Sequence, residues 1–209
     1  MIRAILLCCV RVRLLQGFPS GAEGGFILAI NHNSHLDAHV LSGLLPREVS
    51  WLSRVEFFRS AVPAFLLHAV GAIPIHRQGV PLRALHRAIE TLRAGRNIGI
   101  CPEGEVRSGP GSVVYGGRIK RGVGFLAHRA RAPVIPCVIL GVQPLCRVGP
   151  WLPARRGQVW LSFGTPIYPR MDLRPKEARE NLSRELETQF CDLFRQIEQR
   201  YPLPGDAMP

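Results

Sequence analysis

Acidic side chains are scarce in this chain: 15 Asp plus Glu stand against 27 Lys plus Arg in 209 residues, a formal net charge of +12 with the histidines neutral. A chain this basic meets phosphate on nucleic acid, on an anionic membrane surface or on a phosphorylated substrate, and charge alone does not choose among them. Aromatics are also few, at 7% of residues. With the arginines scattered rather than striped and no nucleic-acid motif visible, a nucleic-acid-binding module is disfavoured. The six cysteines, at positions 8, 9, 101, 137, 146 and 191, include no CxxC pair and no Cys/His set at zinc-finger spacing. They also lack the setting of a secreted disulfide framework, because no signal peptide with a small-residue cleavage site precedes the domain. A reducing, cytoplasmic setting fits.

Long apolar runs are missing as well. Ala4 to Val10, bracketed by Arg3, Arg11 and Arg13, falls far short of the ~20 residues needed to cross a bilayer. Such a stretch suits either a bilayer interface, with guanidiniums at lipid phosphates, or a helix packed on the core. What the chain does have is apolar content. At 46% hydrophobic and 20% charged residues it is too apolar for disorder and long enough for one ordinary domain.

Alternating patterns run along that domain. Phe26–Ile30, Val49–Leu52, Ala72–Ile75, Asn97–Cys101, Val134–Val142 and Val159–Phe163 read as strands. Helices are predicted from Ser34 or His35 to Leu45, with Ser34 as N-cap, and in part of Phe57–Val70. Another has Leu82, Leu85, Ile89 and Leu92 on its apolar face, stops at Gly95, and carries Arg83, Arg87 and Arg93 opposite. A fourth completes at Phe125–Ala132, and Leu182, Leu186, Phe190, Leu193 and Ile197 mark a long closing helix. Strands alternating with helices predict a single α/β domain with a mostly parallel central sheet flanked by helices. Residues 1–20 form a basic apolar N-terminal segment, residues 21–201 the domain, and residues 202–209 a loose tail.

The segment Asn31-His32-Asn33-Ser34-His35-Leu36-Asp37 ends the Phe26–Ile30 strand and places a histidine five residues before an aspartate. In one continuous helix such residues diverge by about 140°, so they pair only if His32 lies outside the helix holding Asp37. A strand end followed by a helix start supplies that bend. An imidazole fixed by Asp37 through one nitrogen can take an alcohol proton with the other, the His and Asp part of triad chemistry without the serine. By itself the spacing recurs readily by chance, and a structural pairing remains open.

Three further blocks follow in order: Gly71-Ala72-Ile73-Pro74-Ile75-His76-Arg77, Cys101-Pro102-Glu103-Gly104, and Ala132-Pro133-Val134-Ile135-Pro136-Cys137. Together with the His32 block they resemble the four motifs of the glycerolipid acyltransferase family typified by bacterial 1-acylglycerol-3-phosphate acyltransferases: NHxxxxD, an arginine-ended strand block, PEG with a following arginine, and a Val-Pro-Ile-Pro-like strand. The resemblance covers residues 25 to 170, and the ordered set is more specific than any one block. It implies an α/β acyltransferase domain over residues 21–201 that moves a fatty acyl group from acyl-CoA or acyl carrier protein to a glycerol hydroxyl.

What the resemblance further implies is a role for each matching residue. His32 is the general base and Asp37 its orienting partner. Arg77 holds the acceptor phosphate, and Glu103 and Gly104 bind substrate through a carboxylate and a closely approached backbone. Arg107 is the arginine of the PEG block, and Lys120 or Arg121 the basic residue before the next helix. A surface role for Arg77 and a loop-holding role for Glu103 remain open alternatives. The implied acceptor is 1-acyl-sn-glycerol 3-phosphate, giving phosphatidate, with glycerol 3-phosphate or a non-phosphate lyso-lipid as runners-up. No cofactor and no metal are implied beyond the thioester co-substrate. The implied setting is peripheral, on the cytoplasmic side of an anionic membrane.

The chain departs from the family in its PEG block: Glu105-Val106-Arg107-Ser108 is one residue longer than the usual Thr-Arg-Ser and adds an acid. Cys101 stands where an aromatic is common. A thiol there permits a nucleophilic reading, but a buried strand cysteine usually serves packing. The long apolar N-terminal anchor of many relatives is missing, leaving Met1 to Leu15 and the basic surface as membrane-contact candidates. A rival of another class takes His32, His35, Asp37 and His39 as ligands of a metal-dependent hydrolase. Their types suit zinc, but their spacing lacks the His-x-His-x-Asp-His pattern, and a helix spreads the last three around its axis.

Overall fold

The structure, a computed structural model, describes residues 10–20, 24–59, 64–65, 67–68, 71–76, 81–143 and 157–208. The expectations placed on residues 1–9, on Arg77, and on Cys8, Cys9 and Cys146 lie outside the described residues. Among the described residues seven strands form one sheet: β1 Val10–Leu14, β2 Ile27–Ile30, β3 Val49–Arg54, β4 Ile73–Ile75, β5 Asn97–Ile100, β6 Val134–Leu140 and β7 Gly157–Phe163. Their spatial order is β1-β7-β6-β2-β5-β3-β4. All neighbouring pairs are parallel except β6 with β7. The described residues include four α-helices: α1 Asp37–Leu44, α2 Leu82–Arg93, α3 Gly122–Ala130 and α4 Pro175–Arg200.

The apolar runs become central strands because both of their faces are covered. In β2, Ile27 and Ala29 face a core formed with α2, α3 and α4, while Leu28 and Ile30 face a second core shared with α1. All seven residues of β6 are buried, as its continuous apolar sequence predicts. Among the described residues the result is an α/β sandwich with α2, α3 and α4 on one face and α1 on the other. After β2 the chain moves out to β3 and β4 and returns to β5 beside β2, and β6 then pairs on β2's other side. This reversal is a topological switch point, and the carboxyl ends of strands at such a point leave a crevice where ligands bind.

Four local expectations differ from the structure. Leu36, not Ser34, holds the cap position of α1, because the Ser34 N–H is bound by Asp37 and the chain turns once more before the helix starts. On α2 Leu92 is buried and Leu85 and Ile89 pack on the core as expected, but Leu82 is 70% exposed and Ala84, Ala88 and Thr91 complete the buried stripe; small residues let the helix sit close to the sheet. The N-terminal segment is an edge strand from Val10 onward, parallel to β7, with Arg11 and Arg13 exposed on it, charges that discourage edge pairing with another chain. The tail is not loose at Ala207, which is buried in the helix-side core, with Leu203 and Met208 packed against that core.

Candidate active site

Asn31 ends β2 by completing its ladder with a side chain. Fully buried, its Oδ1 accepts the Ile139 N–H at 2.8 Å and its Nδ2 donates to the Ile139 carbonyl at 3.0 Å. Because the amide satisfies both groups of Ile139 in β6, the backbone is free to leave the sheet at His32. Asn33 Nδ2 donates to the same carbonyl at 3.2 Å.

The bend required of His32 and Asp37 is present. His32 Nδ1 lies 3.1 Å from Asp37 Oδ2, and that oxygen also accepts the N–H groups of Asn33 and Ser34, both at 2.8 Å. Asp37 is the first residue of α1 and reaches back over the turn that precedes it. Its carboxylate is completely buried, whereas the His32 side chain keeps 19% of its surface. One imidazole nitrogen is thus fixed by a carboxylate and the ring remains reachable. Cys101 follows β5 beside β2, and its thiol is electrostatically coupled to the ring.

The Pro102-Glu103-Gly104 loop grips the main chain of His32 from both sides. Glu103 Oε2 accepts the His32 N–H at 2.6 Å, and the Arg107 N–H donates to the His32 carbonyl at 2.9 Å. The other Glu103 oxygen accepts Ser112 Oγ at 3.1 Å and the Val113 N–H at 2.8 Å. Glu103 is entirely buried, and its two oxygens carry three hydrogen bonds from the chain. The geometry therefore favours the loop-holding alternative for Glu103 over a carboxylate offered to a polyol. Gly104 adopts φ of +77° with the Lys120 side chain across its α-carbon, a combination closed to a residue with a Cβ unless Lys120 moves. The Lys120 N–H donates to the Pro102 carbonyl at 2.8 Å. Arg121 is exposed at the start of α3. The Arg107 guanidinium pairs with Glu105, Nη2 to Oε1 at 3.1 Å.

A family model described as Acyltransferase matches residues 9–140, which span both the His32 turn and the Glu103 loop. The chain belongs to this acyltransferase family. It is an acyltransferase enzyme. The chain is 24% identical over 193 residues to a 1-acyl-sn-glycerol-3-phosphate acyltransferase of Bacillus subtilis, covering 91% of this chain and 90% of that one. It is 26% identical over 175 residues to a chloroplastic protein of the same name from Brassica napus, covering 82% of this chain and 49% of that one. In fold it is similar to the crystal structure of the 1-acyl-sn-glycerophosphate acyltransferase PlsC from Thermotoga maritima, with a TM-score of 0.65, 22% identity, and coverage of 92% of this chain and 78% of that one.

Electrostatics in the acyltransferase site follow from burial. Burial pulls the His32 pKa down, but Cys101 and Asp37 outweigh it, and the net direction is upward from 6.5. Burial also pushes the Cys101 thiol upward, against the downward pull of His32. The carboxyls of Asp37 and Glu103 are likewise raised by burial, against the hydrogen bonds that favour their anions. His35 and His39 are lowered, in each case first by burial. The rings of His32 and His35 meet edge to face at 6.0 Å. Among the described residues no three His, Cys, Asp or Glu side chains converge as a metal-ligand set, so His32, His35, Asp37 and His39 are not gathered as the hydrolase reading requires. No helix among the described residues is long and apolar enough to cross a membrane.

Sequence reasoning missed Asn31 and Ser112. The available signal for Asn31 was a buried polar residue closing an all-apolar strand. Nothing local marked Ser112, whose partner Glu103 is nine residues away.

Proposed function

We propose that this acyltransferase transfers a fatty acyl group from an acyl-CoA or acyl carrier protein thioester to the free hydroxyl of 1-acyl-sn-glycerol 3-phosphate, giving phosphatidate. The carrying observation is the His32 imidazole fixed through Nδ1 by Asp37 while keeping an exposed surface, and the names of the relatives support the acceptor. In this reading the free His32 nitrogen takes the acceptor hydroxyl proton as the oxygen attacks the thioester carbonyl. Asp37 stabilises the imidazolium that forms. The tetrahedral intermediate collapses, the C–S bond breaks, and the departing thiolate takes the proton back from His32. No acyl-enzyme and no cofactor enter. Arg107 lies one hydrogen bond from His32 and is suited to hold the acceptor phosphate, with Arg77 and Lys120 or Arg121 as further cations. The basic chain works peripherally at the cytoplasmic face of an anionic membrane.

The test is a panel of lyso-acceptors, including glycerol 3-phosphate and monoacylglycerol, each offered with one labelled acyl-CoA and separately with the matching acyl carrier protein. Highest kcat/KM on the 1-acylglycerol phosphate supports the reading. Transfer confined to another acceptor overturns it.

A further inference from the structure

Arg107 is held by its own chain at every side of its guanidinium. Its Nε and Nη2 both approach Glu105 Oε1, at 3.3 and 3.1 Å, and its Nη1 approaches the Gly111 carbonyl at 3.4 Å. The Nε/Nη2 edge is one on which a guanidinium gives two parallel hydrogen bonds to a phosphate. Here it faces a carboxylate supplied by the chain two residues earlier, and the backbone of the same arginine donates to the His32 carbonyl at 2.9 Å. The side chains of Arg107 and Glu105 keep 31% and 53% of their surface, so the pair lies where an incoming ligand can exchange with it.

We propose that Glu105 is an internal counter-ion to Arg107 that sets acceptor selectivity. It competes with the phosphate of a phosphorylated acceptor and balances the arginine's charge when the acceptor has none, so the site also serves lyso-acceptors with an uncharged headgroup. This rests on the phosphate-holding role given to Arg107 above. The physical argument is one of occupancy. An acceptor phosphate binds only the fraction of molecules in which Arg107 is released, which weakens its apparent affinity by that fraction. An uncharged headgroup does not displace Glu105, and it meets a neutralised ion pair instead of an unpaired cation whose desolvation would oppose binding. Glu105 thereby narrows the preference for phosphorylated over uncharged acceptors.

Steady-state kinetics of the full chain test this, with 1-acylglycerol phosphate and monoacylglycerol as acceptors, at fixed acyl donor, for wild type, Glu105→Gln, Arg107→Ala and the double variant. Glu105→Gln is expected to lower KM for the phosphorylated acceptor about two- to fivefold, the scale of an exposed ion pair. It should not improve kcat/KM for monoacylglycerol, so the selectivity ratio rises. In the Arg107→Ala background the Glu105 substitution should change nothing. The counter-ion proposal is overturned if Glu105→Gln shifts both acceptors equally or neither, while Arg107→Ala still raises KM for the phosphorylated acceptor. If Arg107→Ala leaves that KM unchanged, the phosphate role of Arg107 itself fails and the proposal falls with it.

Discussion

Glu103 and His32 are joined through the histidine's backbone: Glu103 Oε2 accepts the His32 N–H at 2.6 Å. Replacing Glu103 with Gln puts an NH2 group in place of one carboxylate oxygen. Either the His32 N–H or the Ser112 and Val113 donors then face another donor. A buried donor without an acceptor costs about 1–3 kcal/mol, or about 2–4 °C in Tm per kcal/mol for a chain of this size. The histidine should also shift, and a displacement near 1 Å can cost about 100-fold in rate. Glu103→Gln is therefore expected to lower kcat and Tm together with little change in acceptor KM. A rise in KM alone, with Tm unchanged, restores the substrate-binding role that the family resemblance implies.

The His32 and Asp37 pair fixes the pH profile. With the His32 pKa raised above 6.5, the imidazole is protonated at low pH and gains its base form as pH rises. The kcat/KM profile should climb through an apparent pKa above that of free histidine. Asp37→Asn removes a carboxylate that favours the imidazolium, so the surviving activity should be lower and its limb should move to lower pH. His32→Ala should cost roughly 100- to 10,000-fold, the range for a lost general base, with the folded circular-dichroism spectrum retained. An unchanged limb in the Asp37 variant would detach it from the base.

Cys101 distinguishes direct transfer from an acyl-enzyme. Its thiol is electrostatically coupled to His32, as a nucleophile and its base would be, but burial raises its pKa, away from the thiolate that attack requires. Cys101→Ala should keep most of the turnover. Quenched single-turnover samples of wild type analysed by intact mass should carry no acyl adduct. A stable adduct on Cys101, lost with turnover in Cys101→Ala, replaces direct transfer by a two-step route.

Much of the architecture was legible because buried strands write themselves as apolar runs. Val134–Leu140 and the closing helix at Pro175–Arg200 stand out in the sequence for that reason. The pairing of His32 with Asp37 was legible because it is local, bridged by a turn of four intervening residues. The grip of Glu103 on His32 was not, since the partners are 71 residues apart and meet only after β2 and β5 align in register. The apolar face of α2 was read only in part: Leu92 is buried and Leu85 and Ile89 pack on the core, but Leu82 is exposed and the small Ala84 and Ala88, which let the helix approach, were not singled out. The strand at Val10–Leu14 was also missed; an edge strand with exposed arginines lacks the continuous apolar run that marks the central ones.

Close approach at one further position links the core to the site. The Trp51 ring of β3 lies against the α-carbon of Gly99 in β5, so a Cβ there would fall well inside van der Waals contact with three ring atoms. Trp51 is buried at 2% exposure and its indole N–H donates to Ser42 Oγ at 2.7 Å, tying it to α1, the helix that begins with Asp37. Gly99→Ala must therefore push the indole toward α1 or spread β3 from β5. Overpacking of this kind typically costs about 1–3 kcal/mol, and displacement of α1 should disturb the Asp37 carboxylate at its first turn. The expected result is a lower Tm together with reduced kcat, both relieved when Trp51→Leu is added to Gly99→Ala and compared with Trp51→Leu alone. If the alanine costs as much in the Trp51→Leu background as in wild type, the strain does not pass through the indole and the coupling between this contact and the site is refuted.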